Sequence, residues 1–141
     1  MKILLPVDGS KSSLNAAKFV VKLAKQLAAK CTVTLVNVHD DVGLGHVRQF
    51  VANNVINDYL REVSEKELKT AQKVLDGSGI QYSVAIKRGH IASEIIDIAN
   101  KTKVDMIVMG SKGRSGIIDA LIGSVAQRVC NTAKQPVLLI K

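Results

Sequence analysis

Two rhythms of apolar and polar positions take turns along the chain. Ile3-Leu4-Leu5-Pro6-Val7 is a short apolar run closed by Asp8-Gly9-Ser10, the pattern of a buried strand ending in a turn. Leu14, Ala17, Val21, Ala24 and Ala28 then recur at helical spacing over about 11–29, with Ser10 placed to cap the helix. Cys31 to Val38 reads as a second strand, and residues 39–46, with two aspartates and two glycines, read as a loop. A long helical stretch follows to about Asp76, its inward side built from Phe50, Val51, Tyr59, Leu60, Val63, Leu68, Ala71 and Leu75. Asn53, Asn54 and Asn57 are poor helix formers, so the first half of that stretch is expected to be irregular or broken.

Gly77-Ser78-Gly79 stops the helix, and Ile80, Tyr82, Val84 and Ile86 then alternate with smaller or polar residues. A period of two predicts a half-exposed edge strand. Arg88-Gly89-His90 leads into a helix carrying Ile91, Ala92, Ile95, Ile96 and Ala99, and Asp105 to Met109 forms a strand with an apolar interior. Ser124 opens the last helix, and Pro136 leads into the strand Val137-Leu138-Leu139-Ile140. The order β-α-β-α-β-α-β-loop-α-β predicts one domain over residues 1–141: an α/β, doubly wound, open sheet of five parallel strands, Rossmann-like, with helices on both faces. Ligands of such sheets bind beyond the carboxyl ends of the strands, where strand order reverses.

Composition sharpens this picture in a few places. Hydrophobic residues make up 47% of the 141 and aromatics only 3%, so the core rests on aliphatic side chains, as buried parallel sheets do. Cys31 and Cys130 belong to no paired motif, each in a mostly apolar stretch, which argues for inert thiols in a reducing compartment. The opening is too short for a signal peptide and no run approaches membrane-spanning length, so a cytoplasmic protein with no membrane association is expected. The net charge of +8 favours anionic ligands. Its lysines are scattered along helices, as in Lys18, Lys22, Lys25 and Lys30 or Lys66, Lys69 and Lys73, which reads as solvated helix faces. Nucleic acid is a poor fit because base stacking needs aromatic rings.

The segment with chemistry follows the fourth strand. Gly110-Ser111-Lys112-Gly113, nine residues, then Gly123-Ser124 has the spacing Gly-x2-Gly-x9-Gly-Ser. Glycines permit left-handed backbone and close ligand approach to main-chain N–H groups. Gly123-Ser124 at a helix start would meet an anion with the positive end of the helix dipole, and Lys112 and Arg114 add charge beside it. The same residues also suit ordinary turns with Ser124 as a plain helix cap. Neither a Walker P-loop nor a Gly-x-Gly-x2-Gly fingerprint occurs. His39, His46 and His90 have no metal-ligand spacing, His39 reading as a solvated loop residue, and Gly-x-Ser-x-Gly is absent.

From end to end the chain resembles the universal stress protein family, of the adenine nucleotide alpha hydrolase-like group. The resemblance lies in Ile3 to Ser10, in Val36-Asn37-Val38-His39, in Met109-Gly110-Ser111-Lys112-Gly113-Arg114-Ser115-Gly116 continuing to Leu121-Ile122-Gly123-Ser124-Val125-Ala126, and in Pro136 to Ile140. It is specifically similar to the ATP-binding branch. That resemblance implies that Asp8 holds the ribose or adenine side, with Pro6 and Val7 beside it, and that Val38 meets adenine through its main chain. Met109 opens the motif, and Gly110, Gly113, Gly123, Ser124 and Val125 would surround ribose and phosphates. It further implies ATP (or AMP or ADP), with Mg²⁺, as ligand, a homodimer paired through Val137–Ile140, and a stress-response regulator or sensor acting on an unknown protein partner. The acidic pair Asp40-Asp41 is a departure that would repel phosphate if it faced the crevice. A slow ATPase, or a nucleotide-independent binder of protein or nucleic acid, stands as an alternative; no base or metal ligands for hydrolysis are marked. The polar segment from Gly43 to about Asn57 is the expected moving part.

Overall fold

The computed structural model describes residues 1–27, 30–40, 53–114 and 122–141. Ala28 of the first predicted stripe, Phe50 and Val51 of the second, and the stretches 41–52 and 115–121 lie outside the described residues. The elements are β1 (Lys2–Pro6), α1 (Lys11–Gln26), β2 (Thr32–His39), α2 (Asn53–Asp76), β3 (Gln81–Arg88), α3 (Ile91–Thr102), β4 (Met106–Gly110), α4 (Ser124–Thr132) and β5 (Val137–Ile140). All four strand pairings are parallel, and the order across the sheet is β3-β2-β1-β4-β5.

That order follows from the alternation. Right-handed crossovers carry the chain from β1 through β2 to β3 in one direction, which puts α1 and α2 on one face. The chain then returns past β1 to β4 and β5, which puts α3 and α4 on the other. The pleat divides β1 between the two layers: Ile3 and Leu5 pack with Ala16, Ala17 and Val20 of α1 and with Leu68, Ala71 and Leu75 of α2. Leu4 packs with Ile95 and Ile98 of α3 and with Ala126 and Val129 of α4. Ile3, Leu4 and Leu5 have no exposed surface, so a polar residue at any of the three would be stranded without water.

Ser10 caps α1 as the sequence predicts, its hydroxyl accepting from Ser13 N at 3.2 Å. The expected irregularity is absent from residue 53 onward, because Asn53–Asp76 is one helix; residues 47–52, where the predicted stretch begins, lie outside the described residues. Burial of Ile56 and a hydrogen bond from Arg88 Nη1 to Asn57 Oδ1 at 3.0 Å outweigh the small propensity penalty of asparagine. Of the expected moving segment, residues 43–52 lie outside the described residues and 53–57 are the first turns of this helix. β3 is an edge strand, as its alternation predicts, but Val84 and Ile86 of its apolar side are exposed. Among the described residues no helix is long and apolar enough to cross a membrane. Cys31 is buried, whereas Cys130 is exposed on α4, contrary to the apolar setting read from its neighbours.

Candidate functional site

Strand order reverses between β1 and β4, and the ends of these two strands open the crevice that the topology requires. At the end of β1 the chain turns at Asp8, whose Oδ1 accepts from Ser10 N at 3.0 Å. Gly9 makes that turn with φ of 77°, and a Cβ there would stand 3.2 Å from Cγ of Glu67. At the end of β4, Ser111 N donates to Ile140 O at 2.7 Å and Gly123 N donates to Ser111 O at 2.7 Å. The two glycine-bearing ends of the segment are therefore stitched together, which explains why they belong to one site despite nine intervening residues.

Pro6, Val7, Asp8, Val38, Met109, Gly110, Lys112, Gly113, Arg114, Gly123, Ser124 and Val125, all twelve of the residues singled out in the sequence, line one cavity of about 440 Å³. Ser13, Val36, Ile91, Ile95 and Ala126 line it as well; sequence reading did not assign them to the site, because the four apolar ones look like ordinary core positions and Ser13 like a residue of a helix's first turn. The cavity has two characters. Val36, Val38, Ile91, Ile95 and Met109 form an apolar end, while Asp8, Lys112, Arg114 and Ser124 make a polar one. The first residues of α4 reach the polar end, and N–H groups in a helix's first turn lack intrahelical partners.

One expectation about the glycine segment needs correcting. None of Gly110, Gly113 and Gly123 has a positive φ; among described glycines only Gly9, Gly79 and Gly89 do. Their value is spared volume, not left-handed backbone. A Cβ at Gly110 would strike Ser12 Oγ at 2.7 Å and the α1 backbone at 2.8 Å, whereas one at Gly113 would meet, among the described residues, just Asp8 Oδ2, at 3.1 Å. Gly110 thus admits α1, and Gly113 keeps the crevice open opposite Asp8. Ser124 opens α4 as expected, and the alternative that made it a plain cap falls: Gly123 is the N-cap, and Ser124 is the first helical residue, exposed at the cavity. Asp40 does not line the cavity, and Asp41, Ser115, Gly116 and Leu121 lie outside the described residues.

Beneath the crevice lies a polar cluster the sequence reading did not assemble. The pleat of β2 turns Asn37 and His39 toward α2. Asn37 Nδ2 donates to Val7 O at 2.8 Å and to Glu67 Oε2 at 2.7 Å. His39 is buried rather than solvated, and its Nε2 lies 2.8 Å from Ser64 Oγ and 4.0 Å from Glu67 Oε2. Arg114 Nη1 donates to Glu67 Oε1. The legible signal was Glu67 itself, a charge one position from Leu68 on the inward stripe of a helix. A second hollow of about 360 Å³ lies on the outer side of His39, lined by Asn57, Leu60, Arg61, Ile86, Lys87 and Arg88.

Burial holds the His39 imidazole below its ordinary 6.5; Glu67 pulls the other way and Arg114 adds to the lowering. A folded-state value below the unfolded one means that the unfolded chain binds more protons in the interval between them. The stabilisation from neutral His39 is therefore complete above 6.5 and is lost as pH falls through the folded-state value. We expect the urea midpoint to fall between about pH 7.5 and about pH 5.5, and to fall less in His39→Gln. An equal fall in both proteins would assign the loss to other groups.

An open parallel α/β sheet with a glycine-walled, two-ended cavity at its switch point belongs to the class that binds small ligands at strand ends. The chain belongs to the universal stress protein family, whose model matches residues 1–141. It is 37% identical over 141 residues to universal stress protein MJ0531 of Methanocaldococcus jannaschii, covering 99% of this chain and 81% of that one. The solved structure of MJ0577 from the same organism superposes with a TM-score of 0.86 at 31% identity, covering 99% of this chain and 94% of that one. A universal stress protein solved in complex with cAMP superposes with a TM-score of 0.64 at 25% identity, covering 99% and 95%.

Proposed function

We propose that the chain binds an adenine nucleotide, ATP or else AMP or ADP, in the β1–β4 crevice, and acts as a nucleotide-dependent stress-response regulator. The observation that carries this reading is the two-ended cavity. An aliphatic slot formed by Val36, Val38, Ile91, Ile95 and Met109 suits a purine, and the cationic, amide-rich end suits phosphates. Between them Asp8 offers Oδ2 toward Gly113, the position in which a carboxylate accepts from ribose hydroxyls. The volume, about 440 Å³, falls within the usual range of ligand pockets, roughly 300–1,000 Å³. The cAMP complex of a relative with the same fold agrees with an adenine-bearing ligand.

Asp8 is the one carboxylate among the described lining residues. Mg²⁺ would therefore be held chiefly by phosphate oxygens and water, as is usual for this ion with nucleotides. No general base stands at the phosphate end among those residues, so the site is read as holding nucleotide and not as turning it over. In this reading the protein works in the cytoplasm as a homodimer, with the outer edge of β5 (Val137–Ile140) open to a second copy, and reports nucleotide occupancy to a protein partner.

Calorimetric titration with ATP, ADP, AMP and adenosine tests the reading. Saturable binding of the nucleotides, one per chain, is the expected result. Silence from all four at millimolar concentration would overturn it.

A further inference from the structure

Arg114 lines the cavity, yet its guanidinium is already engaged outside it, by Glu67 of α2. The two partners differ in freedom. The Arg114 side chain is 57% exposed and that of Glu67 only 12%. Glu67 is also held by Asn37 on its Oε2, and the Gly9 turn passes close enough that a Cβ there would stand 3.2 Å from its Cγ. The anion is fixed and the cation is able to move. A phosphate arriving at the polar end meets an arginine whose Nη1 already donates to Glu67. Sharing that guanidinium would bring two anions close together in a partly buried setting, where like charges repel more strongly than in water.

We propose that Glu67 is an internal competitor for Arg114: it holds the guanidinium in the empty site and yields it to the nucleotide's phosphates. This rests on the adenine-nucleotide reading above and adds a residue outside the cavity that sets its preference. Glu67 lowers affinity for phosphorylated ligands and leaves the base and ribose contacts alone. An ion pair with an exposed member is weak, so the competition is worth about two- to tenfold in affinity.

The experiment is calorimetric titration of wild type, Glu67→Gln, Arg114→Gln and the double variant with ATP and with adenosine. Glutamine keeps the shape of Glu67 and an acceptor for Asn37, and thermal unfolding checks that each variant is folded. ATP should bind Glu67→Gln about two- to tenfold more tightly, with adenosine unchanged and the gain absent when Arg114 is also replaced. Should Glu67→Gln unfold, Glu67→Asp draws the charge back by one methylene and gives a smaller gain of the same sign. Weaker or unchanged ATP binding, or an equal gain without Arg114, overturns the inference while nucleotide binding stands. A wild-type protein that binds neither ligand overturns the nucleotide reading, and this inference with it.

Discussion

Gly110→Ala is expected to cost about 3 kcal/mol of stability, the scale of a severe overpacking substitution. The new methyl would stand 2.7 Å from Ser12 Oγ, 2.8 Å from Ser12 C and 2.8 Å from Ser13 N. Two of those atoms are backbone, so no side chain can swing aside to relieve the clash. The backbone they belong to is also anchored. Ser13 N donates to the Ser10 cap at 3.2 Å, and Ser12 Oγ donates to Ile140 O at 2.9 Å. Relief would have to part the end of β4 from the start of α1, at the strand that pairs with both β1 and β5. A chain of this size should lose roughly 10 °C in Tm. Gly123→Ala is the contrast, because among the described residues its Cβ would meet nothing nearer than 3.5 Å, and its cost should stay below about 1 kcal/mol. Thermal unfolding of the two variants beside wild type decides the matter. Equal Tm values would mean that β4 and α1 are not locked together.

The same glycine shows where sequence reading succeeds and where it stops. Strands and helices were legible because a buried parallel strand needs an unbroken apolar run and its covering helix an apolar stripe, and both are local patterns. The position of the crevice followed from the alternation alone. The reasons for particular residues did not, because they depend on what lies across the fold. Gly110 is small for the sake of α1, about a hundred residues away in sequence, and not for a left-handed turn. Ser124 looked like a cap by type, yet Gly123 takes that place once Ser111 O has claimed its N–H. The asparagines of α2 suggested a break, and burial of Ile56 with the Arg88–Asn57 bond overrode them. Asn37, His39, Ser64 and Glu67 come together only when β2 and α2 stack. Counting apolar positions passes over such a cluster, since each member interrupts the pattern instead of carrying it.

Gly113→Val should leave the fold intact and weaken ATP binding about 100-fold or more, a loss of roughly 2.7 kcal/mol. The Gly113 backbone is not in a left-handed conformation, so a side chain brings no left-handed-backbone penalty. Among the described residues its Cβ would approach one atom within 4 Å, Asp8 Oδ2 at 3.1 Å. A valine's methyls would extend from that point into the space between Asp8 and the glycine segment. In the proposed site this space holds the ribose, and the Asp8 carboxylate needs it clear to accept from the sugar hydroxyls. A bulky apolar group there takes the ligand's volume and also shields the acceptor, so both terms act against binding. Tm and ATP affinity measured on the same preparations separate this variant from Gly110→Ala. The first substitution is expected to remove binding with stability kept within about 1 kcal/mol, and the second to remove stability itself. ATP binding of wild-type strength in Gly113→Val would mean that the nucleotide does not pass between Asp8 and Gly113. The ligand would then have to enter from the α3 side, past Ile91 and Ile95, and the assignment of Asp8 to the ribose would fall.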